Sequence, residues 1–211
     1  MGITVFKMRI KTFLAVAVIG AATALAGCTT GGSVFTSAYG SKKDSGYQLP
    51  SIPIHQVDRK YHRQIVKYDT KEKPGTIIVE TKEKHLYFVM PEGKAMRYGI
   101  GVGREGFEWK GTTTIAMKRE WPVWTPPPPM IRRQPELAKW AGGQPGGLAN
   151  PLGARALYLY RGGNDSGYRL HGTPEWKSIG RAMSSGCIRL INQDIIDLYD
   201  RAKVGAKVIV R

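Results

Sequence analysis

The chain has 211 residues, room for one ordinary domain with an extra segment. Hydrophobic residues are 42% of it and charged residues 23%, which excludes full-length disorder, and two cysteines exclude a disulfide scaffold or a four-cysteine zinc site. A net charge of +16 predicts attraction to a polyanion, while 26 glycines and 13 prolines favour turns and short strands over a helical bundle.

Residues 1–11 carry Lys7, Arg9 and Lys11 and no acid, and residues 12–27 are almost entirely apolar. These are the n-region and h-region of an export signal, and the apolar run is shorter than the roughly 20 residues of a spanning helix. Translation from Met8 gives a tidier n-region than translation from Met1. The run ends in Leu25-Ala26-Gly27-Cys28, which resembles the lipobox of bacterial lipoproteins. That resemblance implies cleavage before Cys28 and lipidation of its sulfur, so that acyl chains anchor the protein to a membrane. The alternative is a plain secretory signal with Cys28 incidental. Thr29 stands where an Asp would favour retention at the inner membrane, which points to the outer one, facing the periplasm. Residues 1–27 hold only three basic residues, so the basicity belongs to the rest of the chain. Export turns its expected partner from nucleic acid to phospholipid, lipopolysaccharide or cell-wall polymer.

Residues 28–74 are expected to form a Gly/Ser/Thr-rich tether to about residue 50 and then a loose basic arm. From Gly75 the texture changes. Thr76–Glu80, His85–Met90, Lys94–Ile100 and Thr112–Met117 are predicted strands, the second and third joined as a hairpin through Pro91-Glu92-Gly93. An irregular stretch from Trp121 to Asn150 follows, long enough to expect a functional loop, with a short helix at Pro135–Ala141. Ala154–Tyr160 and Tyr168–Leu170 are further strands. Asn192 is expected to cap a helix to about Ala202, with Ile195, Ile196 and Tyr199 on its buried side and Asp197 paired to Arg201. Gly205 ends it, and Ala206–Val210 is a last strand. The expectation is a mainly β fold, a sandwich or barrel-like domain over residues 75–211 with a few short helices and one C-terminal helix.

Beyond Cys28, the one remaining cysteine is Cys187, in Ser184-Ser185-Gly186-Cys187-Ile188-Arg189-Leu190. A glycine before it allows a sharp turn that exposes the sulfur. A nucleophilic cysteine needs a base or cation nearby. Of the four histidines, His171 follows a strand, opens the turn His171-Gly172-Thr173-Pro174 and precedes Cys187 by 16 residues. From these residues alone, a buried structural Cys and a strand-end His remain an alternative. One Cys and one His lack the further ligands of a metal site.

His171-Gly172-Thr173 followed by Ser184-Ser185-Gly186-Cys187-Ile188-Arg189-Leu190 resembles the signature of the L,D-transpeptidases, the YkuD-type catalytic domain. So do the segments starting at Thr76, Pro122, Asn150 and Ser178. The resemblance implies that Cys187 attacks the carbonyl between the L-centre of meso-diaminopimelate and the terminal D-Ala of a peptidoglycan stem tetrapeptide. D-Ala leaves, and an acceptor amine resolves the thioester to a 3→3 cross-link. His171 serves as base, its ring oriented by a backbone carbonyl or by Thr173. The oxyanion rests on backbone N–H groups of Ser185, Gly186 and Cys187, and Arg189, Thr173, Gly172 and Ser184 are candidate substrate contacts. No metal or other cofactor is required.

One departure from the family pattern is Ser185, where a second His is usual; another is Gly111-Thr112-Thr113-Thr114 before the fourth strand. Arg189 has two readings, a ligand for the substrate carboxylate or an ion pair with Asp194 or Asp197. Trp124, Tyr158 and Trp140 are candidates for the cleft wall or for the core. The proline run from Pro126 is expected to form a stiff cleft edge, and His55 and His62 to be solvated. Three alternatives compete: another acceptor for the same thioester, a non-catalytic protein, and a surface adhesin or structural lipoprotein suggested by charge alone. Water as acceptor makes an L,D-carboxypeptidase, and an outer-membrane protein's amine makes an anchoring enzyme. Loss of activity through Ser185 leaves a wall-binding lipoprotein.

Overall fold

The computed structural model describes residues 1–3, 36–105 and 109–211. The export signal beyond residue 3, the lipobox and Cys28 lie outside the described residues. Among the described residues no helix is long and apolar enough to cross a membrane.

The strands in chain order are β1 (Lys42–Asp44), β2 (Tyr47–Leu49), β3 (Gln64–Lys67), β4 (Ile77–Glu80), β5 (His85–Met90), β6 (Lys94–Gly99) and β7 (Val102–Gly103). There follow β8 (Gly111–Glu120), β9 (Arg155–Arg161), β10 (Asn164–Thr173), β11 (Ala182–Ser184), β12 (Ile188–Ile191) and β13 (Lys207–Val210). The α-helices are α1 (Pro128–Arg133) and α2 (Asn192–Arg201). Nine strands form one mixed sheet in the order β12-β10-β9-β8-β13-β4-β5-β6-β3, with β10/β12 and β13/β4 the parallel pairs. The fold is mainly β, as the strand pattern predicts.

The sheet curls on itself. Gly101, just past β6, exchanges two backbone hydrogen bonds of 2.9 Å with Arg189 on the edge strand β12. A Cβ on Gly101 would lie 2.9 Å from the Ser178 carbonyl, so the closure depends on glycine. Inside the curl lies the main core: Ile77, Leu86, Tyr98, Ile115, Leu157, Leu170, Leu190 and Val208, completed by Ile195 and Leu198 of α2. Ile78, Tyr87 and Val89 face the other way and form a second cluster with Val66 of β3. Burial on both faces explains why Ile77, Ile78 and Val79 form an apolar run with no polar alternation.

The segment before Gly75 differs from the expected tether and arm over its described part. β1 and β2 form a hairpin, and β3 joins the large sheet beside β6. Asp44 holds the buried Arg155 of β9 through two bonds of 2.8 Å and accepts Trp121 Nε1 at 2.8 Å. Tyr39 is 2% exposed and donates to Asp194 of α2 at 3.1 Å. The apolar residues in this segment are few but well spaced, so a composition rich in Ser and Gly hides them. His62 is half-buried, with Nε2 within 3.0 Å of the Ile54 and Val57 carbonyls, where a solvated ring was expected; His55 is exposed.

Asn192 is the first residue of α2, and its side chain does not cap the helix. It turns inward and accepts the Ala154 N–H at 2.9 Å, tying α2 to the start of β9. Ile195, Ile196 and Leu198 are buried and Tyr199 is half-buried. Asp197 pairs with Arg201 through bonds of 2.8 and 3.1 Å, as the i,i+4 spacing predicts. The expected helix at Pro135–Ala141 is a 3-10 turn over Pro135–Trp140, and α1 begins in the proline run itself. Pro128 is tolerated there because the first turn of a helix has no internal partner for its N–H groups.

Candidate active site

A cleft of about 560 Å³ opens over the ends of β10 and β12. His171, Cys187, Ser184, Ser185 and Arg189 all line it. Met130, Arg133, Gln134 and Leu137 come to it from the stretch after the proline run, together with Trp124. That stretch is therefore a cleft wall, which accounts for its length.

Cys187 ends a short clamped turn. Ser184 is 2% exposed, and its Oγ donates to the Cys187 carbonyl at 2.6 Å and accepts the Gly186 N–H at 3.2 Å. Gly186 has φ +109°, a region that disfavours any side chain, so the glycine before the sulfur is a backbone requirement. From behind, Trp109 stacks on Tyr168 with ring centroids 4.4 Å apart and donates from Nε1 to the Gly186 carbonyl at 3.2 Å. The sulfur position is thus held by one hydroxyl and one indole.

The parallel register sets His171 beside this turn. Leu170 pairs with Ile188 and His171 with Arg189, and Cys187 sits one residue earlier with its thiol against the Arg169 backbone. A diagonal step across adjacent strands, one spacing of about 4.8 Å and two residues of about 3.3 Å, separates the Cα atoms by roughly 8 Å. That span brings an imidazole and a thiol of one sheet face into the same space. His171 Nδ1 lies 2.6 Å from the Gly172 carbonyl, which can only accept. Nδ1 therefore carries the hydrogen, and Nε2 presents a lone pair.

Burial acts on both groups in the same sense, against charge. Burial lowers the His171 pKa to about 4; the Gly172 hydrogen bond opposes this, and the charges of Arg189 and Arg169 add to it. Burial raises the Cys187 thiol above its ordinary value, against the Arg169 backbone contact and the Arg169 and Arg189 charges. Burial thus favours the uncharged form of each group, a thiol and a neutral imidazole.

Arg189 pairs with neither Asp194 nor Asp197. Its Nη1 donates to Glu175 Oε2 at 3.0 Å, and both side chains line the cleft. The two aspartates are engaged elsewhere, Asp194 with Tyr39 and Asp197 with Tyr98 and Arg201. Gly172 and Thr173 lie beneath the cleft and do not line it. A Cβ on Gly172 would collide with Asn192 Oδ1 and stand 2.9 Å from Ile195 Cγ2. Thr173 Oγ1 accepts the Glu175 N–H at 3.1 Å, so ring orientation falls to the Gly172 carbonyl alone. Tyr158 packs under the Arg169 guanidinium, 4.3 Å from its ring centre, and Trp140 also stays out of the cleft wall. Arg104, Arg133, Glu175 and Met183 line the cleft without any signal in the local sequence.

The curled β-sheet thus brings a clamped cysteine and a buried histidine to one cleft. Residues 74–210 match the family described as the L,D-transpeptidase catalytic domain, YkuD, and the chain belongs to that family. It is 37% identical over 155 residues to the probable L,D-transpeptidase ErfK/SrfK of Escherichia coli (strain K12), covering 69% of this chain and 46% of that protein. It thus spans about half the length of that relative. A putative L,D-transpeptidase in the ATP synthase subunits region of Fuscovulum blasticum is 34% identical over 146 residues, covering 68% of this chain and 72% of the other. Among solved structures, a probable carnitine operon oxidoreductase from Brucella melitensis shares 44% identity at a TM-score of 0.51, covering 75% of this chain and 99% of that one.

Proposed function

We propose that this protein is an exported peptidoglycan L,D-transpeptidase, with Cys187 as nucleophile and His171 as base. The observation that carries it is the His171 tautomer: Nδ1 is spent on the Gly172 carbonyl, so the free lone pair is on Nε2, within the cleft that Cys187 lines. A neutral base with a depressed pKa accepts the thiol proton only as the sulfur attacks, which suits a thiol that is not ionised at rest.

In the proposed reaction, Sγ bonds to the carbonyl carbon of diaminopimelate while its proton passes to His171. The C–N bond to D-Ala then breaks, and the departing nitrogen takes that proton. An acceptor amine attacks the thioester and gives up a proton through His171, and the C–S bond breaks to restore the thiol. The Gly186 N–H is held by Ser184 Oγ, so the developing oxyanion is assigned to the Ser185 and Cys187 amides. Ser185 cannot act as a base, and in this scheme it is a tolerated replacement for the family's second His. A lipidated Cys28 would anchor the domain at the periplasmic face of the outer membrane; metabolic labelling with a radioactive fatty acid is expected to mark the wild type and not Cys28→Ala.

The test is intact-mass spectrometry of the protein incubated with a disaccharide tetrapeptide, followed by analysis of the muropeptides. A thioester adduct that is absent from Cys187→Ala, together with a 3→3 dimer, is the expected result. Tripeptide without dimer indicates water as acceptor, the carboxypeptidase outcome. Neither adduct nor product refutes the catalytic proposal and favours a wall-binding lipoprotein.

A further inference from the structure

The Arg189–Glu175 pair fits a ligand that carries both charges. It stands at 3.0 Å on the cleft wall, with the Glu175 side chain 68% exposed and that of Arg189 23% exposed. Arg189 lies opposite His171 in the register and two residues beyond Cys187 along the same face of the chain. Two residues of strand advance about 6.6 Å. A solvent-facing pair of this kind contributes little to stability, so a ligand can open it at small cost. It also leaves a cation and an anion at a fixed spacing, each already oriented by the other.

Building on the transpeptidase proposal, we propose that Arg189 and Glu175 form a receptor for the zwitterionic D-centre of the donor's diaminopimelate. That centre bears an ammonium and a carboxylate on one carbon. It is separated from the scissile carbonyl carbon by five single bonds, about 6 Å in a zigzag of roughly 1.5 Å bonds. Cys187, Arg189 and Glu175 line one cleft, so a ligand of that reach can engage the sulfur and the ion pair together. With the carbonyl at Cys187 Sγ, the D-centre reaches the ion pair, where its carboxylate meets the planar guanidinium and its ammonium meets Glu175. Neither protein charge is then left without a counter-charge, and neither is the ligand's. A stem with lysine in place of diaminopimelate offers the ammonium alone and leaves Arg189 without its new partner.

The experiment measures kcat/KM for D-Ala release by the full-length protein from three disaccharide tetrapeptides. One is the free diaminopimelate form, one is N-acetylated at the D-centre, and one is amidated at the D-centre carboxyl. The wild type is expected to lose at least about tenfold on either modification. Glu175→Gln is expected to become insensitive to N-acetylation and keep its sensitivity to amidation, with Arg189→Gln showing the reverse. Alkylation of Cys187 by iodoacetamide at the wild-type rate shows that each variant keeps the site folded. If both variants retain wild-type sensitivity to both modifications, the receptor is refuted while the transpeptidase stands. If the wild type releases D-Ala from none of the three, the transpeptidase proposal fails and the receptor fails with it.

Discussion

Replacing Ser184 with alanine removes the one side chain that spans the turn before Cys187. Two hydrogen bonds go, Oγ to the Cys187 carbonyl at 2.6 Å and the Gly186 N–H to Oγ at 3.2 Å. Each is worth about 1 kcal/mol net, and more where its partner is left buried and unsatisfied. The side chain is 2% exposed, so water does not readily replace the hydroxyl. A loss of about 2 kcal/mol is expected, and at about 2–4 °C per kcal/mol for a domain of this size, Tm falls by roughly 4–8 °C. The same turn sets the sulfur and the amides assigned to the oxyanion. If half to all of that energy is missing in the transition state, acyl-enzyme formation slows about 5–30-fold. Thermal unfolding and single-turnover acylation by mass spectrometry measure the two effects. Ser185→Ala, one residue away and exposed, is the control and is expected to leave Tm within about 1 °C. A Ser184→Ala protein with unchanged Tm and acylation rate would refute the clamp.

With the His171 pKa at about 4, the acid limb of the acylation rate is expected near pH 4, well below the ordinary imidazole value, and a midpoint near 6.5 contradicts the burial argument. The same group makes stability fully present above about pH 6.5 and lost as pH falls through 4, because its folded pKa is depressed. His171→Ala is expected to slow acylation roughly 10²–10⁴-fold, measured by the same single-turnover assay. Asp194 behaves oppositely. Burial pushes it up to about 7 against the Arg63 charge, which stands 3.7 Å away, so its contribution is lost as pH rises from about 4 through 7. Asp194→Asn is therefore expected to gain a few kcal/mol relative to wild type between pH 4 and pH 8 in denaturant titrations, and an equal offset at both ends would refute it.

Much of the fold was legible along the chain because its causes are local. The strand His85–Met90 carries its own β-branched and aromatic run, and Pro91-Glu92-Gly93 its own turn, with Glu92 and Gly93 both at positive φ. The i,i+4 pair Asp197–Arg201 needs only a helix to form. β12, four residues long, was not legible, since a parallel edge strand is stabilised by its neighbour β10 and not by its own sequence. Asn192 looked like a cap because its spacing permits one, and only packing against β9 shows its amide oxygen taken by Ala154.

The candidate site divides along the same line. Sequence by itself determined the family and the glycine before the sulfur, and it singled out Cys187 and His171 as the proposed nucleophile and base, because each of these is a demand on single residues or short motifs. Tertiary structure alone decided that Arg189 faces Glu175 and not the aspartates of α2, that Gly172 makes room for Asn192 and Ile195, and that burial lowers the His171 pKa. Those outcomes depend on which strand lies beside which, and on how much water the curl excludes. Both are sums over distant parts of the chain, and no short stretch of it contains them.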